Sequence, residues 1–126
     1  MYLMKKLIFF DIDNTMLKGS KAHKKAYEGA LQEVYQVQTT PDLFKTINPH
    51  GMTDMLIVYE VLKEFGLSDD AIFSKFDDCK AAMSKYFNEH FLYDKSIILT
   101  GVTELLQSLK DQSYLLGLVT GNLKNI

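Results

Sequence analysis

Phe9-Phe10-Asp11-Ile12-Asp13-Asn14-Thr15-Met16-Leu17 sets two acids two residues apart where an apolar run stops. The run itself, Lys6 to Phe10, reads Lys-Leu-Ile-Phe-Phe and is short, unbroken and bounded by charges. That pattern predicts a central parallel strand buried on both faces. Side chains at i and i+2 of an extended segment project the same way, so Asp11 and Asp13 are expected to face one pocket. In open parallel sheets that pocket, beyond the carboxyl ends of the strands, is the usual ligand site. Two carboxylates this close repel, and holding both ionised favours a bound cation. Oxygen-only ligands suit Mg²⁺, which keeps several waters and shares itself with phosphate. The plain alternative, acids that end a strand in a surface turn, fits a central strand less well.

A second apolar run, Tyr114-Leu-Leu-Gly-Leu-Val119, closes just before Thr120-Gly121-Asn122. About a hundred residues separate the two runs, and most read as helical. From Ser20 to about Val37, Ala22, Ala26, Ala30, Val34 and Val37 recur at helical intervals. Thr39-Thr40-Pro41 ends or interrupts that helix, and a loop is expected through Asn48-Pro49-His50-Gly51. Thr53 is placed to cap a helix carrying Met55, Leu56, Tyr59, Leu62 and Phe65, which stops at Gly66. Ser68 is placed to cap the next, with Asp69 and Asp70 in its first turn and Ile72, Phe76, Cys79, Met83 and Phe87 as its apolar stripe. A last helix, roughly Val102 to Lys110, presents Leu105, Leu106 and Leu109. A parallel crossover needs only about a dozen residues, and structureless loops above about 15 residues are uncommon. The excess therefore predicts an α/β architecture interrupted by an inserted all-helical module, with a parallel-strand core at 1–17 and 97–126 and helices at 18–96.

The chain has 126 residues, 47% of them hydrophobic and 24% charged, an ordinary globular mix with room for a core. A net charge of −2 offers no electrostatic case for nucleic acid or an anionic membrane. Lys21, Lys24 and Lys25 form a basic cluster read as a solvated helix face. Cys79 is the single cysteine, so no intramolecular disulfide forms, and its apolar neighbours mark it as a core residue. Met1-Tyr-Leu-Met-Lys-Lys is too short for a signal peptide, and the apolar run ending in Asp11 is too short to span a membrane. The expected location is cytoplasmic. His50 reads as a solvated loop histidine, while His23 and His90 have no acidic or metal-ligand partner at useful spacing.

Asp11-Ile12-Asp13-Asn14-Thr15 after an apolar strand resembles the first signature of the haloacid-dehalogenase superfamily, Asp-x-Asp-x-Thr. Thr120 after Leu118-Val119 resembles its second signature, a Ser or Thr ending the second strand. The order of strand end, helical insert and second strand with Thr-Gly-Asn makes the pattern specific. The resemblance implies a Rossmann-like core in which Asp11 attacks phosphorus to form an aspartyl-phosphate. Asp13 would protonate the leaving oxygen and then activate water. Mg²⁺ would bind to the Asp11 carboxylate and the Asp13 backbone carbonyl. Thr120 and the amide of Gly121 would hold phosphoryl oxygens, with Asn122, Asn14 and Thr15 beside them. The superfamily's dehalogenases attack carbon and lack an acid at the position of Asp13, so its presence favours phosphoryl chemistry. Asn14 replaces the usual Gly, and Asn tolerates left-handed backbone angles better than most residues.

An insert directly after the first signature resembles the helical cap class, as in phosphoglycolate phosphatases and β-phosphoglucomutases. There the cap excludes water and reads the non-phosphate part of a small phosphorylated metabolite. Gly51-Met52-Thr53-Asp54 resembles the Gly-x-Thr-Asp loop of the phosphoglycolate-phosphatase-like branch, which makes Gly51 and Thr53 substrate-binding candidates. A glycine turn followed by a Thr cap explains them equally well. The superfamily also uses a Lys and one or two further acids that normally follow the second signature, and this chain ends six residues past Thr120. Asp69-Asp70 and Asp77-Asp78 follow no apolar strand and read as helix-face acids. The expectation is therefore a truncated and inactive form of a magnesium-dependent phosphatase, able to form oligomers through surface exposed by truncation. A phosphomutase of the same fold and a catalytically dead binding or dimerisation module are the alternatives.

Overall fold

The computed structural model describes residues 4–18, 21–91 and 94–124. In chain order the elements are β1 (Leu7–Phe10), β2 (Leu17–Lys18), α1 (Lys21–Tyr35), α2 (Pro41–Ile47), α3 (Asp54–Glu64), α4 (Asp69–Phe73), α5 (Phe76–Phe91), β3 (Ile97–Ile98), α6 (Val102–Asp111) and β4 (Leu115–Leu118). They fall into two compact units: Met1–Ser20 with Lys95–Thr120, and Lys21–Asp94 with Gly121–Ile126.

In the first unit β1 and β4 pair in parallel, Leu7 opposite Leu115 and Phe10 opposite Leu118. The ladder runs one step further, because the Val119 amide donates to the Phe10 carbonyl at 2.9 Å. The two strands are the apolar runs that the sequence marks, and α6 packs on β4. The expected burial of β1 on both faces is not found. Leu7 is 52% exposed, Phe9 59% and Leu118 60%. Each of these strands has one strand neighbour among the described residues, and α6 is the only helix of this unit, so one side of each strand goes uncovered. A second pairing had no signal in the sequence: β2 lies antiparallel to β3, Leu17 opposite Ile98 and Lys18 opposite Ile97. At two residues per strand it is too short to show any periodicity.

The helical unit holds every fully buried side chain among the described residues, including Leu31, Val58, Val61, Leu62, Ile72, Cys79 and Met83. Its centre is α1 against α5. Ala22, Ala26 and Ala30 are buried on α1 at the intervals that put them on one face. Their small side chains allow close approach, and Gly29 takes this furthest. A Cβ built on Gly29 would stand 2.4 Å from the Tyr86 ring. Helix α1 stops where Gln36 adopts φ +57°; Ser20, its expected first residue, lies outside the described residues. Thr53 and Ser68 cap α3 and α4 as the sequence predicts, accepting from the Leu56 and Ala71 amides at 3.3 and 3.2 Å.

Two helical features differ from the expectation. The loop expected after Thr40 contains α2, which Pro41 opens and Asn48 closes in a left-handed conformation. Proline lacks only an N–H that a first-turn residue does not use, so here it starts a helix rather than ending one. The long helix expected from Ser68 breaks at Ser74-Lys75 into α4 and α5.

The Gly29–Tyr86 contact yields a test. Gly29→Ala raises intrinsic helix propensity, so on an open helix face it would stabilise. Here overpacking is expected to win and to destabilise by about 1–3 kcal/mol, measured by chemical denaturation; an unchanged or higher midpoint would show that the ring moves aside freely.

Candidate active site

Asp11 is the first residue past β1, and Thr120 lies two past the end of β4. Parallel pairing in this register sends both out of the same end of the sheet. The backbone beyond β1 turns tightly, with the Ile12 carbonyl accepting from the amides of Thr15, Met16 and Leu17 at 3.2, 2.9 and 3.2 Å. Asn14 sits at φ +59°, the left-handed angle expected where the superfamily's motif has Gly. Thr15 Oγ1 donates to Asp11 Oδ2 at 3.0 Å, so the motif's Thr orients its first Asp. Asp11 and Asp13 are both exposed.

Among the described residues no three His, Cys, Asp or Glu side chains gather as a metal cluster. The donors at this strand end are two solvent-accessible carboxylates and backbone carbonyls, all oxygen. That set suits a hard cation that keeps several of its waters, and does not suit a closed structural site.

The other candidates belong to the helical unit. Gly51, Thr53, Gly121 and Asn122 all lie there, and the structure brings the Gly51–Asp54 loop onto the segment that follows Thr120. The Asp54 amide donates to the Gly121 carbonyl at 2.8 Å. A Cβ on Gly121 would meet the Met52 carbonyl oxygen at 2.6 Å, so the backbones touch where only glycine fits. Gly51 turns at φ +78° and Thr53 spends its hydroxyl on the α3 cap.

The residue that joins these segments is Asp54, to which the sequence assigned no role. It is 2% exposed. Tyr27 donates its hydroxyl to Oδ1, His23 Nε2 stands 2.8 Å from the same oxygen, and the Leu123 amide donates to Oδ2 at 2.6 Å. Burial works against ionisation of this carboxyl. The hydrogen bond and charge of His23, the Tyr27 hydroxyl and the Leu123 amide outweigh it and hold Asp54 below the ordinary carboxylate value. With the carboxylate ionised and acceptor-only, the proton of the shared contact lies on Nε2. The His23 ring also stacks on Tyr27, centroids 5.2 Å apart. His23 therefore does have an acidic partner, 31 residues away in the chain, a separation that local spacing does not reveal. Cys79 is buried, and burial pushes its thiol up to about 12, in keeping with a core role. No helix among the described residues is long and apolar enough to cross a membrane.

Comparison with known proteins identifies the family of the chain. Residues 8–126 match the family model described as haloacid dehalogenase-like hydrolase, and the chain belongs to that family. A structure reported as a predicted phosphoglycolate phosphatase from Haemophilus somnus 129PT is 25% identical, with TM-score 0.61 over 95% of this chain and 53% of its own. A hydrolase from Pseudomonas syringae is 18% identical, with TM-score 0.66 over 97% of this chain and 52% of its own. A family IA, variant 3 hydrolase from Entamoeba histolytica HM-1:IMSS is 15% identical, with TM-score 0.56 over 93% and 49%. These last two show the shared fold. The chain spans about half the length of these solved relatives. No curated protein matches it significantly.

The Asp54 site makes stability depend on pH. A carboxyl whose folded value is lowered contributes stability above its unfolded value of 3.8, and loses it as pH falls through the folded value. The denaturation midpoint should therefore drop on acidification below about pH 4 more steeply in the wild type than in Asp54→Asn. Parallel acid titrations of the two proteins would refute this assignment.

Proposed function

We propose that the protein is a phosphatase of a small phosphorylated metabolite, working through an aspartyl-phosphate formed on Asp11. The observation that carries this reading is the register of β1 against β4, which sends Asp11 and Thr120 from the same end of one parallel sheet. Family membership supports hydrolysis as the reaction class. The Haemophilus somnus relative, described as a predicted phosphoglycolate phosphatase, supports the phosphate-bearing substrate class.

In this reading an Asp11 carboxylate oxygen attacks phosphorus, and the P–O bond to the substrate breaks. The Thr15 hydroxyl on Oδ2 fixes the orientation of the carboxylate and favours attack through Oδ1. Asp13 gives its proton to the departing alkoxide and then removes one from water. That water attacks phosphorus, releases orthophosphate and restores the Asp11 carboxylate. Thr120, followed by Gly121 and Asn122, donates to the phosphoryl oxygens, where charge must be stabilised. The Asp11 carboxylate and the Asp13 backbone carbonyl would hold a magnesium ion, which would supply neutralisation of phosphoryl charge.

The exposed apolar sheet face supports a second reading, association of two copies through β1 and β4. Leu7, Phe9 and Leu115, which the register sets on one face, are each about half exposed or more, and contiguous apolar surface of this kind marks interfaces. A concentration-dependent dimer in sedimentation, abolished by Phe9→Lys, is the expected signature. A wild type that stays monomeric would remove this reading.

The phosphatase reading is tested with a panel of phosphate monoesters and Mg²⁺. In a form that also carries the superfamily's Lys and further acids, turnover is expected to fall by more than about 10³-fold in Asp11→Asn, beyond the loss of a single electrostatic contact. Beryllium fluoride, a mimic of an acyl phosphate, should give a bound ¹⁹F resonance in the wild type and none in Asp11→Asn. Retention of either signal without the Asp11 carboxylate would show that the nucleophile is elsewhere.

A further inference from the structure

Asp54 is an expensive residue to place where it stands. Burying a carboxylate costs several kcal/mol unless its partners are well placed, and an apolar side chain of similar volume often serves a core as well or better. Yet Asp54 opens α3 beside the core residues Ile57, Val58, Val61 and Leu62. Its contacts show what the charge holds. Two partners, His23 and Tyr27, come from one face of α1. The rest are backbone groups of the segment that follows Thr120. The Asp54 amide donates to the Gly121 carbonyl at 2.8 Å, and its Oδ2 accepts from the Leu123 amide at 2.6 Å. One residue thus clasps 121–123 at both ends and restricts the two peptide planes between Gly121 and Leu123. The clasp is reinforced by the close approach of Gly121 to the Met52 carbonyl, which excludes any side chain there.

A core salt bridge would need none of these backbone contacts. Holding helices together requires only the α1 partners, and the bonds to Gly121 and Leu123 fix a loop that holds no helix. That loop is the one whose Gly121 amide, in the phosphatase reading, grips the phosphoryl group. We infer that Asp54 is a positioning residue for phosphate binding, acting through its paired backbone contacts to Gly121 and Leu123. His23 and Tyr27 act on it from behind and fix the rotamer of its carboxylate. The inference rests on the phosphatase reading and deepens it.

The experiment is titration of the full chain with orthophosphate and Mg²⁺, followed by the backbone amide resonances of Thr120, Gly121 and Leu123, beside thermal unfolding of each variant. Asp54→Ala is expected to weaken phosphate binding by about tenfold or more, the scale of one lost charge-assisted hydrogen bond. Asp54→Asn keeps a carbonyl for the Leu123 amide and should recover most of that loss. Tyr27→Phe leaves the clasp in place, so it should lower the melting temperature while binding stays within about twofold, a difference far smaller than one hydrogen bond. If Asp54→Ala does not fold, Leu123→Pro carries the same expectation, since it removes the clasped amide and leaves the carboxylate its α1 partners. Equal weakening in Asp54→Ala and Tyr27→Phe, or no rescue by Asn, would reduce Asp54 to a core residue. A wild type whose Thr120 and Gly121 resonances ignore phosphate would remove the phosphatase reading itself, and this inference with it. Binding in the wild type that Asp54→Ala leaves intact removes the inference alone.

Discussion

The parallel register of β1 and β4 is the constraint on which the candidate chemistry depends. It is a demanding pairing, because its partners are separated by nearly the whole chain. Loop-closure cost grows only slowly with length, about 0.6 kcal/mol for each doubling, so the separation itself is tolerable. What the pairing needs is that the intervening residues not compete with it. A helical unit with its own buried core meets that condition, since its apolar side chains are satisfied locally. The short β2–β3 ribbon adds a second constraint: it joins the outgoing and returning chain one step beyond the Asp11 turn. The turn is thereby held on both sides, by β1 before it and by β2 after it, and its Asn14 takes a left-handed angle that a β-branched residue would resist.

Packing is distributed unevenly over the two units. The fully buried side chains lie in the helical unit, while the sheet leaves Leu7, Phe9 and Leu118 half exposed or more. The physical cause is local. A strand buried on both faces needs a layer on each side, and the described residues of this unit provide a single helix, α6. The apolar composition of β1 and β4 is thus written for more burial than this unit provides, which is why the continuous run Lys-Leu-Ile-Phe-Phe misleads about exposure while it identifies the strand correctly.

The same division between local and distant information explains what could be read from the sequence. Thr53 and Ser68 were legible as caps because a cap is a contact between residues three apart. The strands were legible because an unbroken apolar run is also local, and the left-handed turn at Asn14 followed from the resemblance of its motif. Helix α2 was missed because proline has two local meanings, and the choice between them depends on the residues that follow it. The break between α4 and α5 left the apolar stripe in phase across Ser74-Lys75, so periodicity passed over it. The network around Asp54 was out of reach, with partners 31 and 69 residues away. A trace of it was present nonetheless. Asp54 closes the Gly-x-Thr-Asp resemblance, but an acid directly after a Thr cap also satisfies the helix dipole, so its position alone does not reveal the tertiary role.

Asp54 then links the two kinds of information. Its position in the first turn of α3 gives its ionised form a favourable field from the helix N-terminus. That local effect, worth about 1 kcal/mol or less for an exposed group, is too small to hold a buried carboxylate charged by itself. The margin must come from the imidazole, the hydroxyl and the Leu123 amide, each fixed by a different segment. Ionisation of this one group therefore depends on α1, α3 and the chain after Thr120 being folded together. A network of this kind is cooperative by construction, and together with the close fit of Gly121 against Met52 it ties the conformation of the 121–123 backbone to the integrity of the helical unit.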